Sequence, residues 1–429
     1  MRVLHLTTEF PPVIYGGLGT ALGGLAFASA RAGMTVGVLL AGEMGCSGYA
    51  GADSDLAGQS GGGDDRVQAV TRRDGVTIFH VPSYLPVEAG VRLVRAWKPD
   101  VVHLHVFWLW SAARAMQERT GVPLVYHVHS LDRAEYEIGQ GPSECVTQWG
   151  VQEEVIDSAD RVIALTRSES ELLSEYCPAV RGRVRIVGNG IDDTPAAHAA
   201  VNKCRDTDSP LVLYTGRFVE RKGVRELLSA VPRVLERAPT TRFVLAGGHR
   251  NCSGADMERW WLPPELAQYR DQIHFTGWLT PARLADWYLR ADVLAVPSWY
   301  EPFGMVILEG MLYGLPIVAA EVGGPAEILE HERTGLLCPP RDAGALADAI
   351  LKLVTDARLR RRIGVAAAAE VRDKWLWPHV VEGIRGVYRE AALKHEGALL
   401  LHENTRATES SPTCLQRSAE ASSGFPPHG

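Results

Sequence analysis

The sequence predicts an α/β protein built from two doubly wound parallel-sheet domains. Three observations carry this prediction. Strand-like apolar runs alternate with helical stretches along nearly the whole chain. The alternation stops in a polar segment at 198–210 and then restarts, so each half has its own sheet. At 429 residues the chain is too long for one ordinary hydrophobic core.

In the first half the strand-like runs are residues 3–6, 35–40, 76–81, 101–105, 124–128, 161–165 and 184–187. In the second half they are 211–215, 242–246, 273–275, 291–298 and 316–320. The domains are accordingly placed at 1–193 and 209–378. An amphipathic helix is expected at 376–393, after the second sheet ends. The tail at 396–429 is polar, with Ser, Thr, Pro and Gly, and reads as disordered. Residues 41–65 form a long Gly/Ser/Asp-rich stretch that reads as either a functional or a disordered loop.

Apolar content of 46% and charged content of 22% are those of a globular protein. The net charge of −7, with no large basic block, argues against a nucleic-acid partner. No run reaches the roughly 18 apolar residues of a spanning helix. The short basic stretch at 358–362 reads as a solvated helix face, with weak peripheral membrane contact as the other reading. The N-terminus reads as a first strand and not as a signal peptide. Seven scattered Cys without a C-x-x-C pair suit a reduced, cytoplasmic protein.

Four constellations could carry chemistry. Glu301 sits in a Pro302-bearing turn and Glu309 eight positions later inside a helix that ends near Gly314. They could be the acid and nucleophile of a glycosidase. They could instead accept hydrogen bonds from sugar and ribose hydroxyls, with the amides of Gly304, Met305 and Val306 facing phosphate between them. The bland account is a solvated helix face. Arg217 and Lys222 flank a loop between a strand and a helix starting near Val224. A diphosphate carries about two negative charges and a helix N-terminus offers about half a positive one, so two cations are needed to neutralise it. A basic surface loop is the alternative.

The third constellation, Gly16-Gly17-Leu18-Gly19, follows the first strand but lacks the last small residue of a dinucleotide fingerprint, so NAD is not expected. It serves either close helix packing or backbone approach to an anion. Last, His103, His105, His127 and His129 stand near strand ends. Alternation puts each pair on one face, with His105 and His129 at the carboxyl ends. With no carboxylate to complete a ligand set, no metal is expected. Asp53-Ser54-Asp55 and Asp206-Thr207-Asp208 read as solvated loop residues.

Taken together, these residues resemble the retaining family-4 glycosyltransferases of the GT-B fold, near the bacterial glycogen and starch synthases. The resemblance covers about residues 1–392. It rests on the Glu301 to Glu309 stretch with 314–319, on Gly216-Arg217 with Lys222-Gly223, on Asn189-Gly190-Ile191-Asp192, on Gly323-Gly324 with Glu327-Ile328, on 334–337, and on Thr7 through Leu18. One departure is Ile14-Tyr15 before Gly16, where glycogen synthases carry a Lys that contacts donor phosphate.

The resemblance implies two Rossmann-like domains facing a cleft, with a helix at 379–395 crossing back onto the first. Arg217 and Lys222 would bind the diphosphate of a UDP-, ADP- or GDP-sugar. Glu309 would bind ribose and Glu301 the sugar hydroxyls. His129 would be the active-site histidine, Gly17 the glycine turn, and Gly277 would lie near the base. The implied activity is metal-independent hexosyl transfer, without a cofactor, to a hydroxyl of a saccharide or glycoconjugate. A GT-B sugar-nucleotide epimerase, or a glycoside hydrolase using Glu301 and Glu309, is the rival expectation.

Overall fold

The structure, a computed structural model, describes residues 1–42, 67–82, 85–138, 145–201 and 208–409, with 145–148 and 394–409 by backbone alone. Most of the long loop at 41–65, all of Asp53-Ser54-Asp55 and the end of the tail lie outside the described residues.

The first sheet comprises β1 (Arg2–Thr7), β2 (Thr35–Ala41), β3 (Ala69–Arg73), β4 (Val76–Val81), β5 (Val101–Leu104), β6 (Leu124–His127), β7 (Arg161–Ala164) and β8 (Val184–Ile186). Its order is β3-β4-β2-β1-β5-β6-β7-β8. All pairings are parallel except β3 with β4. The second sheet comprises β9 (Leu211–Gly216), β10 (Arg242–Gly247), β11 (Ile273–Gly277), β12 (Val293–Val296), β13 (Ile317–Ala320) and β14 (Gly335–Cys338), in the order β11-β10-β9-β12-β13-β14, all parallel. In both sheets the order reverses beside the first strand, and the crevice at that reversal is where such sheets hold ligands.

Two strands escape the sequence reading. β3 is an edge strand whose last residues are exposed arginines, so its apolar signal is too short. The cue was its turn, Asp74-Gly75, with φ of 47° and 83°, a pair that reverses hairpins tightly. β14 is only Gly335–Cys338.

Both faces of each sheet are covered, which is why the parallel strands are almost uniformly buried. One face of the first sheet is covered by helix Gly17–Arg31 and by helix Trp377–Glu409. In the latter, Trp377, Val380, Val381, Ile384, Val387, Tyr388 and Ala391 form the buried stripe of an amphipathic helix. It comes from the far end of the second domain, so the crossing-back helix is present. It also overruns its expected end. Residues 396–409 are helical rather than disordered, because Ala, Leu and Glu in this stretch are good helix formers whatever the overall polarity. Likewise the expected linker at 198–210 begins inside a helix, Pro195–Ala200, capped by Thr194 and anchored by buried Ala197 and Ala200. No helix among the described residues is long and apolar enough to cross a membrane.

Candidate functional site

The loop leaving β9 is shaped by its own residues. The Tyr214 hydroxyl donates to the Arg217 carbonyl at 2.9 Å and closes the turn. The Arg217 guanidinium is exposed and makes no hydrogen bond or ion pair with the described residues. Gly223, at φ 70°, ends the loop where a Cβ would stand 2.0 Å from the Pro297 carbonyl oxygen. Only glycine lets this loop lie against the end of β12.

Lys222 forms a largely buried ion pair with Glu301. Ser298 Oγ donates to the same carboxylate oxygen at 3.3 Å. Burial pulls the Lys222 pKa down, against the opposing pull of Glu301. The Gly324 amide donates to the Glu301 carbonyl at 2.9 Å, holding the turn against helix Gly323–Ile328.

Helix Met305–Leu312 starts at Gly304, whose φ of 100° is open to glycine and strained for other residues. No side chain caps it. The first amides of such a helix have no partner within it and carry the positive end of its dipole. Gly304, Met305 and Val306 therefore present donors between the two glutamates. On the far side, Glu309 accepts a 2.5 Å hydrogen bond from the Tyr288 hydroxyl, which also pairs with Thr215 Oγ1 at 3.1 Å. Burial raises the Glu309 pKa, and the Tyr288 bond opposes it. The two glutamates have separate partners: one neutralises a lysine, and the other lies beside the end of β9.

The first sheet supplies a block of imidazoles. β1 pairs with β5 so that His5 lies directly beside His103, and β5 pairs with β6. The rings of His5, His103, His105, His127 and His129 form one contiguous group, with His103 stacked on His127 and His127 stacked on His129 at centroid distances of 5.4 and 4.4 Å. His5 Nδ1 shares a 2.9 Å hydrogen bond with His105 Nε2, and His105 Nδ1 shares a 3.0 Å bond with His129 Nε2. His103 Nδ1 is bonded to the Tyr388 hydroxyl of the crossing helix at 2.7 Å. Burial lowers the pKa of His129 to about 3, so its ring is neutral at ordinary pH. His5 escaped the sequence reading because it sits mid-strand in an apolar run, and only the strand order places it here.

The two halves meet at these residues. Gly17 opens helix Gly17–Arg31, and the Met305 side chain lies 3.8 Å from where its Cβ would be. The Leu131 amide donates to the Tyr300 hydroxyl at 3.0 Å. Arg221, which the sequence reading did not single out, pairs with Glu135 at 3.2 Å and donates to the Tyr300 carbonyl at 3.4 Å. Its cue was the Arg221-Lys222 doublet, read only through Lys222. Arg250 lies 4.2 Å over the Tyr15 ring, across the same divide. Arg217, Lys222, Glu301, Gly304, Met305, Val306 and Glu309 thus gather around the ends of β9 and β12, with Met305 against Gly17 of the first domain. Gly277 stands apart. It is buried at the end of β11, under the backbone of Cys252 to Gly254, and two strands from β9.

Comparison with known proteins gives the family. The model for "Glycosyl transferase 4-like domain" matches residues 16–190, and that for "Glycosyl transferases group 1" matches 209–356. The chain is 28% identical to a glycogen synthase of Mycobacterium tuberculosis, over 91% of this chain and 95% of that one. It is 30% identical to an alpha-maltose-1-phosphate synthase of Mycolicibacterium smegmatis, over 91% and 100%. It is 32% identical to a D-inositol 3-phosphate glycosyltransferase of Stackebrandtia nassauensis, over 75% and 79%. Among solved structures, a sucrose-phosphate synthase from Thermosynechococcus elongatus superposes with a TM-score of 0.72 at 25% identity, over 91% of this chain and 99% of that one. Anabaena HepE, solved in complex with UDP-glucose, superposes with a TM-score of 0.67 at 20% identity, over 90% and 98%.

Proposed function

The chain belongs to the family-4 glycosyltransferases, near the glycogen synthases, and from that premise we propose that it moves a hexosyl group from a nucleotide-diphosphate sugar to a hydroxyl of a saccharide or glycoconjugate, with retention at the anomeric carbon and without a metal. The observation that carries this reading is the cluster of Arg217, Lys222 and the uncapped start of helix Met305–Leu312, joined through the Lys222–Glu301 pair.

Lys222 has three N–H donors. One serves Glu301 and the others can reach the diphosphate. Arg217 adds a free fork of donors. Arg217, the remaining Lys222 donors and the helix start direct positive charge and N–H groups at the leaving nucleotide diphosphate and stabilise it as the anomeric C–O bond breaks. The acceptor oxygen forms the new bond on the same face, and its proton passes to the departing phosphate oxygen. Glu301 accepts hydrogen bonds from donor-sugar hydroxyls, Glu309 from the ribose, and neutral His129 contacts the sugar from the opposite domain.

No observation favours the glycosidase or epimerase readings. Glu301 pairs with Lys222, and Glu309 pairs with the Tyr288 hydroxyl. Neither is placed as one half of an acid–base pair.

The test is to incubate the protein with UDP-, ADP- and GDP-sugars and candidate acceptors, following nucleotide diphosphate release and reading the product anomer by NMR. Arg217→Ala and Lys222→Ala should each lower kcat/KM by about 100-fold or more. Undiminished transfer by both variants would remove the phosphate clamp. Transfer should persist in EDTA; its abolition would overturn the metal-free step, and an inverted product would overturn retention.

A further inference from the structure

The histidine block holds more imidazole than a sugar site uses. His127 is 1% exposed, and neither of its ring nitrogens has a hydrogen-bond partner among the described residues. Leaving a buried polar atom unpaired costs about 1–3 kcal/mol, so such atoms ask for a reason. The ligand nitrogens of His105, His127 and His129 all lie within 4.8 Å of one another.

We propose that His105, His127 and His129 form a binding site for one divalent transition-metal ion of the zinc type. One general preference and two observations support it. Imidazole suits zinc, copper and nickel, and three such ligands with one open position make a recognised zinc geometry. A metal about 2.0–2.1 Å from each nitrogen sets the ligand atoms a little over 3 Å apart, and His105 Nδ1 and His129 Nε2 already stand at 3.0 Å. Finally, an outer partner is in place. When His105 Nε2–H donates to His5 Nδ1 across their 2.9 Å bond, the His105 Nδ1 lone pair is left free for the metal.

Charge and access agree with the geometry. Burial lowers the pKa of all three histidines, so they are neutral ligands at ordinary pH. His105 and His127 are buried, whereas His129 is half-buried, which gives an ion a way in from solvent. The second triplet, His5, His103 and His105, is buried throughout and offers no such path. On binding, the proton shared between His105 and His129 moves to His129 Nδ1, so no redox step or co-reactant is involved. An ion held there occupies the imidazole that faces the donor sugar. Bound metal therefore inhibits transfer, a consequence that rests on the function proposed above, whereas the site itself does not.

The experiment uses the full chain, stripped with chelator, and titrates it with zinc chloride by calorimetry and with cobalt chloride by visible absorption. One equivalent should bind, with the absorption of a tetrahedral cobalt–nitrogen site. His127→Gln should weaken zinc binding at least tenfold, with the unfolding temperature recorded beside it. His129→Gln gives the same reading should the first variant misfold. Failure to bind one equivalent, or unchanged affinity in the folded variants, overturns the site. Zinc that binds with full affinity but leaves transfer undiminished keeps the site and overturns the role given to His129.

Discussion

A carboxyl group with little room for its charge stands beside the cleft. Glu169 is 2% exposed, accepts a 2.7 Å hydrogen bond from the Leu165 amide, and leaves its other oxygen unpaired. Burial pushes its pKa from 4.5 up to about 8. The folded state therefore keeps a proton that the unfolded chain gives up. Stability from this group is fully present below about pH 4.5 and is lost as the pH rises toward 8. Glu169→Gln keeps the acceptor for Leu165 and cannot ionise. It should lie close to the parent at pH 4.5 and gain on it with rising pH, by a few kcal/mol at pH 8. Urea unfolding at several pH values measures this. A stability difference that does not change with pH would show that Glu169 titrates normally.

Scale changes the meaning of Lys222 as well. As a residue it is a buried cation paired with Glu301. As part of an element it is the last side chain before the glycine that lets its loop touch β12. Gly223→Ala should push Lys222 away from Glu301, since a Cβ 2.0 Å from a backbone oxygen cannot be accommodated without shifting the chain. The expected result is about 1–3 kcal/mol of lost stability, with a raised KM for donor, measured by chemical unfolding and by initial rates. Normal kinetics in this variant would mean the loop position is not set by that contact.

Elements also explain what the sequence could and could not disclose. Most parallel strands were legible because burial on both faces leaves continuous apolar runs. β3 and β14 were not, one being a polar edge and the other four residues long. Arg217, Lys222, Glu301 and Glu309 were legible because their loops punctuate a strand–helix rhythm. Their partners were not. The Tyr288 hydroxyl on Glu309, the Arg221–Glu135 pair and the His5 contact join residues distant in sequence, and strand order and side-chain direction decide them.

At the scale of the whole molecule, the long C-terminal helix fastens the two halves. Its Trp377 is 2% exposed and fits flat against Gly24 and Gly190, where Cβ atoms would lie 2.2 and 2.6 Å from the indole. Backbone bonds tie Ile191 to Trp375 at 2.8 Å and Trp377 to Ile191 at 3.1 Å. Glu390 joins Arg161 at 3.0 Å and Arg185 at 2.7 Å on the first sheet. Trp377→Ala should cost about 3–5 kcal/mol through the cavity it leaves. A loss below about 1 kcal/mol in denaturant titrations would mean that the surroundings collapse into the gap.

That fastening also sets an order in time. The first sheet is complete at Ile186, but the helix covering β5, β6 and β7 begins about 190 residues later. At about 5–20 residues per second, a ribosome needs roughly 10–40 s to deliver it. Throughout that interval the nascent first domain shows water a strip of valines and isoleucines, together with His103, whose bonding partner Tyr388 has yet to be made. The chain thus emerges with its earliest domain unfinished until helix Trp377–Glu409 closes over it.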